Sequence, residues 1–167
     1  LTQCGVAGVK VVIVMSSGFA ESDADGVLAQ ARLVDIAKHS GMRLVGPNCI
    51  GSVGGAKKLV ASFSPVFSAP TTTVEAGSIA LVSQSGALGY GMYSLGLDQG
   101  VPLGVVVTTG NEADVTNLEV ANALADARQA LADSRTALAK GDFTAYGKAQ
   151  DRLKSAIDAA TSAQNKK

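Results

Sequence analysis

Ser83, Gln84, Ser85 and Gly86 are the residues of this chain whose types and spacing best suit chemistry. They follow the apolar or small run Ile79 to Val82, which reads as a buried strand, and they precede a helix predicted to begin at Ala87. A strand, a tight turn and a helix N-terminus bring two hydroxyls and several backbone N–H groups to the positive end of a helix dipole. That is a seat for a phosphate. The same residues serve equally as a plain helix cap, and the pattern alone leaves both readings open.

Other reactive groups have less support. Cys4 and Cys49 form no CxxC pair and have only His39 as a companion, whereas zinc needs about four ligands, so no metal site is expected. A reactive Cys49 thiolate would need a base or a helix N-terminus beside it, and none is near in sequence. His39 falls in the last turn of a predicted helix, where a cation suits the dipole for structural reasons. No catalytic residue is therefore assigned. Lys57 and Lys58 could approach a phosphate, but read better as an exposed pair.

Composition narrows the function classes. The 167 residues are 47% hydrophobic, which suits one ordinary domain or two small ones. Fourteen basic and fourteen acidic side chains balance, so no global field draws the protein to nucleic acid or anionic lipid. Aromatics are 4% and Trp is absent, which removes the stacking platforms of a single-strand binder. The apolar run Val11 to Met15 is too short to span a membrane. The cysteine usage suits a reducing, cytoplasmic setting. A first residue Leu1 in place of Met suggests a fragment or a trimmed chain.

The elements that must position these residues come in two similar units. Lys10 to Met15 reads as a buried strand ended by Ser16, Ser17 and Gly18. Ser22 and Asp23 can cap a helix carrying Val27, Ala31, Val34 and Ile36, with Gly41 as its stop. Met42 to Val45 resumes as a strand ending at Gly46 and Pro47, which completes a parallel βαβ unit. Residues 55–77, with Gly55, Pro65, Pro70 and Thr71 to Thr73, read as an irregular connector, within which Ala61 to Val66 could form a short strand. The second unit runs from Ile79 through the helix to about Leu97 and a strand from Leu103 to Thr108. Gly110, Asn111, Glu112, Ala113 and Asp114 leave that strand's carboxyl end, where ligands of parallel sheets bind. The two turns could face one cleft, and Asp114 either orients this loop or acts as a structural cap.

Three motifs carry a resemblance. Val-Ser-Gln-Ser-Gly-Ala-Leu-Gly (82–89), Gly-Pro-Asn-Cys (46–49) and Gly-Asn-Glu-Ala-Asp-Val (110–115) stand in the order and rough spacing of the NDP-forming acyl-CoA synthetases, relatives of the succinyl-CoA ligase alpha subunit. The first 124 residues or so resemble that family. The resemblance implies that residues 1–54 are the end of a coenzyme A-binding Rossmann-like domain, with Met15, Ser16 and Ser17 matching a segment that contacts coenzyme A. Succinyl-CoA ligases carry an acidic residue where this chain has Ser17, so the match is partial; alternatively Ser16 and Ser17 only end a strand. Residues 78–125 would begin a flavodoxin-like ligase domain whose serine turn holds the phosphate of a phosphohistidine, with Ser83, Gln84, Ser85 and Gly86 in that role and Tyr90 near the acyl group. The family's phosphohistidine lies beyond the Gly-Asn-Glu-Ala-Asp motif, so His39 is not that residue. ATP or ADP, Mg and an ATP-grasp partner module belong to a complete enzyme, and coenzyme A binding here is expected to be weak.

From Asp126 onward the character changes to eight basic and five acidic side chains with no strand signal. Leu124, Ala127, Leu131, Ser134 and Leu138 step at helical spacing, as do Phe143, Tyr146, Gln150, Leu153 and Ile157, with Gly141 and Asp142 between them. Residues 126–167 therefore read as a helical hairpin tail capable of self-association. Residues 137–154 resemble the C-terminus of an uncharacterised bacterial membrane-protein family, whose membrane spans are absent from this sequence, so no membrane role carries over. The expected architecture is α/β with parallel βαβ units and a C-terminal α-hairpin. The expected function is a fragment of an NDP-forming acyl-CoA synthetase, inactive alone; the alternatives are a non-catalytic anion-binding or helix-mediated interaction module and a non-functional product.

Overall fold

The computed structural model describes residues 1–68 and 72–161, with side chains as far as residue 158. Pro70 and Thr71 of the turn-rich connector, and residues 162–167 of the tail, lie outside the described residues. The chain divides into two units, Leu1–Asn117 and Leu118–Lys167.

The first unit opens with a short helix α1 (Thr2–Val6) and strand β1 (Val11–Ile13). Asp23 starts helix α2 (Ala24–His39), its carboxylate accepting the Gly26 N–H at 2.8 Å, which satisfies one of the helix's orphan donors. Strand β2 (Arg43–Val45) returns parallel to β1. Ala37, Met42 and Leu44 are buried against Val12, Val14 and Leu33, so the helix packs on the face of this small sheet.

A second sheet has the order β4-β3-β6-β5. Strands β3 (Gly51–Gly54) and β4 (Leu59–Ser62) pair antiparallel, and β3 also pairs antiparallel with β6 (Leu103–Thr108). Strand β5 (Ile79–Ser83) lies parallel to β6, joined by helix α3 (Gly86–Asp98). This is the expected second βαβ unit, extended by a hairpin. The sheet takes its strands from both sides of residue 54 and uses part of the stretch that reads as a connector. Val53, Tyr90, Tyr93 and Val106 form its buried core, with Phe67 set edge-on to Tyr90 at 6.0 Å between ring centroids. Val66 reaches this core, whereas Phe63 stays 61% exposed.

The second unit contains the expected α-hairpin, but its first helix begins at Asn117, ahead of the expected start at residue 126. Helix α4 runs Asn117–Ala139 and helix α5 runs Phe143–Thr161. Asp142 caps α5, accepting the Ala145 N–H at 2.9 Å. The seam differs from the expected one. Ala130, Ser134, Ala137 and Ala149 are buried, while Leu131, Leu138, Phe143 and Ile157 are exposed. Small residues let the two backbones approach closely, so the contact line is rotated away from the larger side chains. Gln150 donates to the Ser134 hydroxyl at 2.7 Å across this line, and Arg152 pairs with Asp133 at 2.5 Å.

Candidate functional site

The serine turn joins β5 to α3. Ser85 is the N-cap of α3 in an extended conformation, and its hydroxyl accepts the Leu88 N–H at 3.3 Å. Ser83 donates its hydroxyl proton to the Ser85 carbonyl oxygen at 2.8 Å. Both hydroxyls thus shape the turn. The first amides of a helix have no partner within it, so the N–H groups of Gly86 and Ala87 are donors that α3 itself does not satisfy. No acidic residue lies in the first turn of α3. The positive end of the dipole is therefore not neutralised from within the helix, which favours an external anion. A side chain at position 86 would meet Ile50, whose Cγ1 lies 2.5 Å from the place of a Cβ, so glycine here keeps the helix start close to β3.

Gln84 ties this turn to the loop after β6. Its Nε2 donates to the Gly110 carbonyl oxygen at 2.7 Å, and Gly110 N–H donates back to the Gln84 carbonyl oxygen at 3.1 Å. Thr109 N–H adds a 3.0 Å bond to the Ser83 carbonyl oxygen. The Gly110 loop in turn touches the turn after β2: Asn111 N–H donates to the Pro47 carbonyl oxygen at 2.8 Å and Ala113 N–H to that of Gly46 at 3.1 Å. The turn after β2 is held to the end of β1 by a bond from Asn48 N–H to the Ser16 carbonyl oxygen at 2.9 Å. The loops at four strand carboxyl ends, those of β1, β2, β5 and β6, are therefore brought together within the first unit.

Met15 is half-buried and Ser16 and Ser17 are exposed at that edge. Tyr90, by contrast, lies inside the core at 4% exposure, away from the solvent face of the serine turn. Its hydroxyl is buried with no hydrogen-bond partner. Burial chiefly pushes the phenol's pKa up, and the nearby Ser62 hydroxyl only tempers this. Asp114 turns to β2, accepting from Arg43 Nε at 3.0 Å and from Leu44 N–H at 2.8 Å. Cys49 is buried, its thiol 3.5 Å from the Val14 carbonyl oxygen, and burial raises its pKa, which makes it a poor nucleophile. His39 Nδ1 lies 2.7 Å from the Asp35 carbonyl oxygen at the end of α2. Among the described residues no three His, Cys, Asp or Glu side chains gather as metal ligands.

Sequence reading missed two groups that build this site. Thr108, fully buried, accepts from the N–H groups of Ile50 at 3.1 Å and Gly51 at 3.0 Å and donates to the Gly51 carbonyl oxygen at 3.0 Å. Glu21 accepts from Gly18 N–H at 2.7 Å and from the Asn111 side-chain amide, which also donates to Gln30 at 2.9 Å. The Asn111 bond holds the Glu21 carboxyl at about 2, below its ordinary 4.5. A depressed carboxyl pKa contributes stability above the ordinary value, and this is lost as pH falls from about 4.5 to 2. Asn111→Ala should return the Glu21 midpoint toward 4.5 in a carboxyl-carbon NMR titration. A midpoint that stays near 2 would show that Asn111 is not its cause.

Comparison with known proteins decides the family. Residues 76–140 match the succinyl-CoA ligase-like flavodoxin domain. Over 126 residues, 75% of this chain, it is 40% identical to the alpha subunit of acetate–CoA ligase [ADP-forming] I of Pyrococcus furiosus. The α/β part belongs to the NDP-forming acyl-CoA synthetase, succinyl-CoA ligase-like family. The alpha subunit of the second P. furiosus enzyme, acetate–CoA ligase [ADP-forming] II, is 34% identical over 77% of this chain. The chain spans about a quarter of these curated relatives, 26% and 27% of their lengths. The dinucleotide-forming acetyl-coenzyme A synthetase 1 of Ca. Korarchaeum cryptofilum, solved in complex with phosphate and ADP, matches with a TM-score of 0.61 and 33% identity, covering 72% of this chain and 25% of that one. Over 72% of its length the chain thus shares an α/β frame with this synthetase. Among the described residues no helix is long and apolar enough to cross a membrane.

Proposed function

We propose that this chain is a segment of a cytoplasmic NDP-forming acyl-CoA synthetase that retains the phosphate seat and part of the coenzyme A edge. The observation that carries the proposal is the start of α3: Ser85 caps it, its first amides have no partner within the helix, and its first turn has no acid to occupy the positive pole. Phosphate sits against the Gly86 and Ala87 N–H groups, with Ser83, Gln84 and Ser85 shaping the seat. The exposed Ser16 and Ser17, with Met15 behind them, contribute contacts to coenzyme A. Residues 1–54 then close a coenzyme A-binding domain, 55–77 connect it onward, and 78–125 begin the ligase domain, with 126–167 as a helical tail. Tyr90 supports the acyl-binding region from within the core.

By this reading the chain alone has no ligase turnover. Phosphoryl transfer needs a nucleophile within reach of the seated phosphate, and the single histidine is held at the end of α2. Nucleotide, Mg and an ATP-grasp partner would supply the remaining chemistry in a complete enzyme. Titration with inorganic phosphate, followed by amide NMR, should move Ser85 and Gly86 most. Shifts confined to Lys57 and Lys58 would overturn the seat. Calorimetry with coenzyme A should show binding weaker than about micromolar, roughly 8 kcal/mol, and tighter binding would mean that the pocket is more complete than proposed.

A further inference from the structure

The sheet has a second concave surface, at the end opposite the serine turn. A cleft of 570 Å³ opens where α3 ends and β6 begins, lined by Glu75, Tyr93, Leu97, Asp98, Val101 and Leu103 among others. Its volume falls in the range of small-molecule sites, and its open lining exposes more polar than apolar surface. Among the described residues, no Lys, Arg or His lines it, while two carboxylates do.

Asp98 is the less expected of the two. It lies in the last turn of α3, a turn with no basic residue, where the helix dipole is negative. A local choice that works against the helix is characteristic of residues kept for another purpose. Glu75 is exposed and accepts from the Thr73 hydroxyl at 3.3 Å. Tyr93 is 2% exposed, and after burial the charge of Glu75 is what pushes its phenol pKa upward, consistent with a negative field inside the cleft.

We propose that this cleft binds a small organic cation, an ammonium or guanidinium carried on an apolar body. The charged head lies between Glu75 and Asp98, and the apolar body rests on Leu97, Val101 and Leu103. The site is separate from the serine turn, where the chemistry favours the opposite charge, so it stands whether or not phosphate binds there.

The test uses the whole chain and three probes of one shape: phenethylammonium, phenethyl alcohol and phenylacetate. In amide NMR titrations to about ten millimolar, near the weakest affinity worth calling a site, phenethylammonium should shift Gly96, Asp98, Gly100 and Val101. The neutral alcohol should shift them less, and phenylacetate should not. The double variant Glu75→Gln, Asp98→Asn should weaken the cation by about threefold to tenfold, the range of two exposed charge contacts. Both residues are exposed and the replacements nearly isosteric, so folding is not at stake. Equal binding of the alcohol or of phenylacetate would overturn the proposal. So would shifts insensitive to the double variant, or none at the highest concentration.

Discussion

Replacing Gly110 by alanine should destabilise the first unit by about 3 kcal/mol or more, and it should do so from the loop that links the strand ends. Gly110 has φ 62, a left-handed backbone that costs an L-residue roughly 1–2 kcal/mol. A Cβ there would also lie 2.2 Å from the Pro47 carbonyl oxygen and 2.6 Å from that of Asn48. Backbone oxygens cannot swing aside as a flexible side chain can. The turn after β2 would have to move, at the expense of the bonds that Asn111 and Ala113 make to Pro47 and Gly46. Each such bond is worth about 1 kcal/mol net, and an unmet buried partner costs more. Urea unfolding followed by circular dichroism should show the loss. A midpoint indistinguishable from wild type would mean that these loops are not packed as described. In a variant that still folds, phosphate shifts at Ser85 and Gly86 should weaken, because Gln84 would lose its fixed partner at Gly110.

The second large effect is expected at Asp114. Arg43 is 3% exposed, and Asp114 supplies it a carboxylate oxygen at 3.0 Å while also accepting the Leu44 N–H at 2.8 Å. Removing one partner of a buried ion pair typically costs about 3–5 kcal/mol, because the remaining charge stays desolvated. Asp114→Ala should therefore approach the severity of the Gly110 change, although the two act differently. Asp114→Asn should be milder, since its amide oxygen can still accept from Leu44. The double variant Arg43→Met, Asp114→Leu should recover much of the loss, because apolar residues of similar volume commonly replace a buried pair at little cost. A double variant as unstable as Asp114→Ala would show that Arg43 matters through its other contacts.

Local pattern carried the reading well where elements are long or sharply ended. The helix that begins after Ser85, the Asp23 cap and the strand Leu103 to Thr108 all follow from apolar runs bounded by Gly, Ser or Asp. Strand β3 was not legible, because Gly51, Ser52, Val53 and Gly54 offer one β-branched residue between two glycines. It is a strand because β4, β6 and Thr108 satisfy its backbone, and of these Thr108 lies 57 residues from Gly51 in sequence. The site divided in the same way. Ser85 as a cap is a local property, whereas the Glu21 and Asn111 pair joins residues 90 apart and has no local signature. The hairpin seam was legible in part: Ser134 and Gln150 lie on it as their spacing predicts, whereas Leu131, Leu138, Phe143 and Ile157 stay exposed because alanines permit the closer approach.

The hydrogen bond between Gln150 and Ser134 has a consequence for how the two tail helices find each other. A contact line of alanines is smooth, and smooth lines tolerate sliding: displaced by one turn, small residues would still meet small residues. The 2.7 Å bond breaks that degeneracy, because any slipped arrangement would take the Gln150 amide away from Ser134. Together with the Arg152–Asp133 ion pair between the same helices, this polar pair thus acts as an alignment mark, adding little to the strength of pairing and much to its uniqueness.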